Sequence, residues 1–187
     1  NVEVDTYAQT RVQMGINPAH FQWHLPVGEA FQTPEVVLVY SENGLNGLSQ
    51  TLHPFYQKHL VRGQHQFAER PVLINNWEGT YFDFTAEKIE AMADEASTLG
   101  IELFVLDDGW FGKRDDDYSS LGDWHVHTAK LPDGLKQLAE NIKARGMLFG
   151  LWFEPEMISE DSELYRAHPD WCIHTPGREK SLSRSQY

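Results

Sequence analysis

Apolar residues change their spacing near Pro71. Upstream of it there is little helical periodicity. The runs Phe21-Gln-Trp-His-Leu-Pro-Val-Gly and Glu35-Val-Val-Leu-Val-Tyr predict short strands. Gly28, Pro34 and the turn-prone Ser41-Glu-Asn-Gly-Leu-Asn-Gly bound them. Residues 48–62 predict a helix, with Leu48, Leu52, Phe55, Tyr56 and Leu60 near helical spacing and Pro54 disturbing it. Residues 1–47 therefore read as the end of a β-rich domain, and residues 48–70 as a helical linker.

From Pro71 the pattern becomes strand, helix, strand, helix, strand. Val72-Leu-Ile-Asn-Asn-Trp predicts the first strand. Thr85 is placed to cap the helix that follows. Ile89, Met92, Ala93, Ala96 and Leu99 should line its inner face, and Gly100 should end it. Ile101-Glu-Leu-Phe-Val-Leu predicts a buried second strand. After a long loop, Asp133 should cap a second helix with Leu135, Leu138, Ala139 and Ile142 inward and Gly146 at its end. Met147-Leu-Phe-Gly-Leu-Trp-Phe-Glu predicts the third strand. Alternation of this kind implies parallel strands joined by helical crossovers. Three such units do not close an eight-fold barrel, which takes about 250 residues. The fold class expected is α/β: a partial (β/α)8 TIM barrel over 71–187, with a fourth strand beginning near Ser181 and the catalytic domain cut short.

The three strands end in the same chemical vocabulary: Asn75-Asn76-Trp77-Glu78, Asp107-Asp108-Gly109-Trp110 and Trp152-Phe153-Glu154-Pro155-Glu156. In parallel α/β folds, side chains at the carboxyl ends of strands converge on one pocket. Buried carboxylates are disfavoured unless paired or functional. Ionised carboxylates accept hydrogen bonds from vicinal hydroxyls, and an indole face covers the apolar face of a pyranose. The constellation therefore points to sugar binding. Against it stand plainer readings: an Asp that caps a turn, and Trp77 or Trp152 as core aromatics. Trp110, Trp124 and Trp171 read as packing or loop anchors.

Composition narrows the field. With 28 acids against 15 bases, the net charge is −13. No Lys/Arg cluster suited to nucleic acid accompanies it. No apolar stretch is long enough to span a membrane. Cys172 is the one cysteine, which fits a reducing compartment and reads as a small buried hydrophobe. The run Asp115-Asp116-Asp117 lacks the order of a calcium loop and reads as a solvated turn. His125 and His127 lack partners at zinc-ligand spacing. No phosphate loop, dinucleotide fingerprint or GxSxG motif occurs, so neither cofactor nor metal is expected.

Leu106-Asp-Asp-Gly-Trp-Phe-Gly-Lys-Arg, Leu121-Gly-Asp-Trp and Gly150-Leu-Trp-Phe-Glu-Pro-Glu-Met resemble bacterial α-galactosidases of glycoside hydrolase family 36. Asn75-Asn76-Trp77-Glu78, His168-Pro-Asp-Trp171, Phe31-Gln-Thr-Pro-Glu and Tyr56-Gln-Lys-His-Leu extend the resemblance over nearly the whole chain. It implies an N-terminal β-sandwich ending within residues 1–47, then a (β/α)8 barrel. It also implies sugar-binding roles for Trp77, Asp107, Asp108, Trp152 and Arg184, the last followed by Ser185 where the family commonly has Asn. The nucleophile and acid/base of a retaining mechanism would belong to later strands, so no catalytic residue is expected in this chain. The implied substrates are terminal α-galactosides such as melibiose and raffinose. The implied setting is a cytoplasmic homo-oligomer, a tetramer. Rival readings are an α-N-acetylgalactosaminidase, a raffinose-synthase-like galactosyltransferase, a non-catalytic carbohydrate-binding module and a TIM-barrel isomerase.

Overall fold

A computed structural model describes residues 1–182. The chain divides into two compact units, Asn1–Glu69 and Arg70–Tyr187.

In the first unit, strand β1 (Val2–Val4) pairs antiparallel with β2 (Thr10–Val12), Val2 opposite Val12. Asp5 shapes the turn between them, its Oδ1 accepting from the backbone N–H groups of Tyr7 and Gln9, each at 2.9 Å. Helix α1 (Gly44–His59) confirms the helix expected from the apolar spacing, but begins four residues earlier and buries none of its residues. Pro54 lies inside it. The strands expected at 21–28 and 35–40 do not form. Both segments lack a hydrogen-bonded ladder. Trp23, Val27, Leu38 and Tyr40 are exposed. A strand exists through its ladder, and an apolar face persists only under a second layer. Among the described residues of this unit, neither reaches those segments.

The second unit follows the expected alternation. Strands β3 (Leu73–Asn75), β4 (Leu103–Leu106) and β5 (Leu148–Leu151) form one parallel sheet in the order β3-β4-β5. Leu73 stands opposite Leu103, and Leu103 opposite Leu148. The first strand is shorter than the apolar run suggests, because Trp77 opens a one-turn helix, α2 (Trp77–Thr80). Asn76 causes this break. Its buried side chain accepts from the Asp107 N–H at 2.8 Å and donates to Thr80 Oγ1 at 2.8 Å, turning the chain out of the sheet.

Helix α3 (Ala86–Thr98) is capped by Thr85, whose hydroxyl accepts from the Lys88 N–H. Ile89, Ala93 and Ala96 are buried, and Met92 packs against the core. Leu99 is exposed, contrary to expectation. As the C-cap it has left the helical stripe, and Gly100 at φ +80° turns the chain away. Helix α4 (Gly134–Ala144) buries Leu138 and Ile142. Asp133 occupies its N-cap position, but its side chain makes no capping bond. Phe104 and Leu106 of the central strand meet these helical faces in one core with Phe84, Phe111, Leu121 and Leu131. Helix α5 (Glu163–Ala167) and a 3-10 turn (Pro169–Trp171) follow. From Ser183 onward the segment expected to enter a fourth strand, with Arg184 and Ser185, lies outside the described residues.

Candidate functional site

Beyond the carboxyl ends of β3, β4 and β5 lies an open cavity of about 640 Å³. Trp77, Asp107, Asp108 and Trp152 all line it, with Arg114, Asp117, Tyr118, Leu121, Glu154 and Met157. Four of the five side chains singled out from sequence thus meet in one cavity. The fifth, Arg184, lies outside the described residues.

Register explains the convergence. Each strand leaves the sheet at the same level, so the residues just beyond Asn75, Leu106 and Leu151 open onto a common space. The backbone there is tied across strands. Trp152 N–H donates to Leu106 O at 2.9 Å, and the Trp110 indole N–H donates to Trp152 O at 3.0 Å. Trp110 is buried, its ring edge-on to Phe111 and Phe153, so its packing role holds. Trp77 is held from below: its N–H donates to Asn75 Oδ1 at 2.7 Å, and its ring meets Tyr81 and Phe82 edge-on.

The two carboxylates differ in environment. Asp107 is partly exposed; Oδ1 accepts from the Asp108 N–H at 2.7 Å, and Oδ2 accepts from the Asn75 amide. Asp108 is buried and forms a two-pronged ion pair with Arg114, Nε to Oδ1 at 2.9 Å and Nη2 to Oδ2 at 2.8 Å. Gly109, next along the chain, has φ +95°. A Cβ there would come within 3.1 Å of Phe82 and 3.2 Å of both Phe84 and the Lys130 ammonium.

Sequence reasoning missed Arg114 and Lys130. Both are buried charges on the loop after β4, where no period marks an inward position. The one available signal was their place around the acidic run, Arg114 directly before it and Lys130 between it and the next helix. Lys130 explains part of that run. Its Nζ lies 2.8 Å from Asp115 Oδ1, and it holds the Asp115 carboxyl below the usual carboxylate range, helped by nearby His127. Asp115, Asp116 and Asp117 are exposed as expected, but Asp117 also borders the cavity. At the β5 end, a hydrogen bond between the Glu154 and Glu156 carboxyls holds Glu156 below its usual range.

Cys172 is buried with a free thiol. Trp171 is exposed and stacks on the His168 ring at 3.9 Å. Among the described residues, no cluster of three His, Cys, Asp or Glu is placed to hold a metal ion, and no helix is long and apolar enough to cross a membrane.

Chemically, the cavity lining brings together carboxylate acceptors and indoles, a combination suited to a polyol with one apolar face. Its size falls within the common range for small-molecule sites.

The chain is similar to known proteins in sequence and in fold. The melibiase family model matches residues 30–187. The chain is 60% identical over 185 residues to α-galactosidase AgaA of Geobacillus stearothermophilus, covering 99% of this chain and 25% of that protein. It is 53% identical over 186 residues to α-galactosidase Mel36A of Lactobacillus acidophilus, again covering 25% of the relative. The crystal structure of AgaA superposes with a TM-score of 0.89, covering 99% of this chain and 26% of that one. Variants of AgaA have been crystallised in complex with raffinose and with stachyose. The chain spans about a quarter of the length of these curated relatives.

Proposed function

Because the chain belongs to the melibiase family, glycoside hydrolase family 36, we propose that it forms the sugar-gripping part of an α-galactosidase. Its substrates are terminal α-galactosides such as melibiose and raffinose. The observation that carries this reading is the single cavity shared by Trp77, Asp107, Asp108 and Trp152. Asp107 and Asp108 accept hydrogen bonds from galactosyl hydroxyls, and the two indoles wall the ring. Galactose differs from glucose in its axial 4-hydroxyl. A site that pairs with that group rejects the epimer, which leaves buried polar atoms unpaired. Arg184 adds to the same sugar site.

The three parallel strands are the first part of a (β/α)8 barrel over 71–187, and residues 1–47 end a β-sandwich, joined by the helical segment 48–70. Support comes from the parallel order β3-β4-β5 and the family membership. A retaining mechanism needs two carboxyl groups about 5 Å apart, one as nucleophile and one as acid/base. Family resemblance assigns both to later barrel strands, so Asp107 and Asp108 hold the sugar and do not cleave it. The enzyme works in the cytoplasm as a homo-tetramer; the lone cysteine fits a reducing compartment, and the assembly rests on the family resemblance.

The test uses a full-length enzyme carrying this segment, for instance AgaA with its matching quarter replaced by this chain. Asp107→Ala should lower kcat/KM for a p-nitrophenyl α-galactoside by roughly a hundredfold, as expected when charged hydrogen bonds to a substrate are lost. A change within about twofold would contradict the assignment.

A further inference from the structure

The loop between β4 and α4 contains two buried cations that sugar binding alone leaves unexplained, Arg114 and Lys130. Taking charges out of water is costly unless each is fully paired. Each guanidinium nitrogen of Arg114 has a partner. Its Nε and Nη2 engage the Asp108 carboxylate, and Nη1 donates to Ser119 O at 2.8 Å. Its carbonyl accepts from Lys130 Nζ at 2.9 Å, and the same ammonium donates to Gly109 O at 3.1 Å. Lys130 therefore ties the start of the loop to the residue that grips Asp108. Its ammonium sits 5.0 Å from the centre of the Phe84 ring, which closes the cluster on its apolar side.

An ionised carboxylate offers about four acceptor positions. Among the described residues, Asp108 Oδ1 takes the Gly109 N–H at 2.7 Å and the Arg114 Nε at 2.9 Å. Oδ2 takes Arg114 Nη2 at 2.8 Å, with Nε at a longer 3.1 Å. One good acceptor direction is left, on Oδ2, and Asp108 borders the cavity. We infer that Arg114 is a positioning residue that acts through Asp108, locking its rotamer and charge so that its remaining acceptor meets a galactosyl hydroxyl. This rests on the sugar-binding reading above and deepens it. A lysine could neutralise the carboxylate but not hold both oxygens in one plane.

The experiment is a double-mutant cycle in the full-length enzyme carrying this segment, with Arg114→Lys, Asp108→Asn and both together. Kinetics are measured on an α-galactoside and on the matching α-glucoside, and normalised to folded protein by near-UV circular dichroism. Arg114→Lys should lower kcat/KM per folded molecule roughly thirtyfold and narrow the preference for galactose over its epimer. The double variant should be little worse than Asp108→Asn alone. Added guanidinium should restore part of the activity of Arg114→Ala. Independent, multiplying effects would overturn the inference. So would an Arg114→Lys enzyme that is merely less stable, with activity per folded molecule and selectivity unchanged. Asp107→Ala, run beside them, separates the two layers. If it keeps full activity, the sugar-binding reading itself fails; if it loses activity while Arg114→Lys does not, only the role of Arg114 fails.

Discussion

Gly109 shows how tightly single residues constrain the site. Its φ of +95° lies where side chains are strained, and two aromatic rings and an ammonium occupy the space a Cβ would need. Gly109→Ala should therefore destabilise the fold by about 1–3 kcal/mol, seen as a lower melting temperature, and should displace Asp108 along with it. An unchanged melting temperature would mean that the loop yields freely. The acids and indoles at the strand ends were readable from sequence because a buried apolar run that stops at a carboxylate has few explanations. Arg114 was not. It sits six residues beyond Asp108 in an irregular loop, and only the fold of that loop turns its guanidinium inward. Asn76 was visible in a motif, but its work of holding the Asp107 backbone is a contact between strands, which no local pattern encodes.

At the scale of elements, the βα alternation was legible because both helices bury a 3.6-residue stripe against alternating strand positions. Ile142→Ala, which empties a fully buried position under β4 and β5, should cost about 2–5 kcal/mol, measurable by denaturant unfolding. Helices α3 and α4 are also joined by charge. Arg145 on the C-cap of α4 contacts Asp94 at 2.6 Å and Glu90 at 3.3 Å, both on α3. The Arg145 hydrogen bond holds the Asp94 carboxyl below its ordinary value. A carboxyl with a depressed folded-state pKa stabilises the fold above its unfolded pKa and loses that effect as pH falls through the folded one. Asp94→Asn should therefore be less stable than the parent at pH 7, and the difference should fade as pH falls below the ordinary carboxylate range. A gap that stayed constant across that range would mean the pair contributes nothing through charge. The strands expected at 21–28 and 35–40 failed for the opposite reason to the helices. Their alternation is real, but an apolar face needs a covering layer, and sequence does not say whether one is present.

For the molecule as a whole, the chain spans about a quarter of the relatives it matches, and the described sheet has two open edges, at β3 and β5. Leu73 on one and Leu148 on the other are exposed. Unpaired edges of this kind are open to pairing with further strands. Under the proposed function the strand-end cavity is one side of a sugar site, and the carboxyl pair that cleaves the bond belongs to later strands. The isolated 187-residue chain should not turn over a chromogenic α-galactoside; measurable turnover would place the catalytic acids within it. The most direct measurement is a crystal structure of galactose bound to a full-length enzyme carrying this segment. The account predicts sugar hydroxyls within about 3 Å of the Asp107 and Asp108 carboxylates, with Trp77 and Trp152 against the ring. Galactose seated elsewhere, with these four side chains bare, would contradict it.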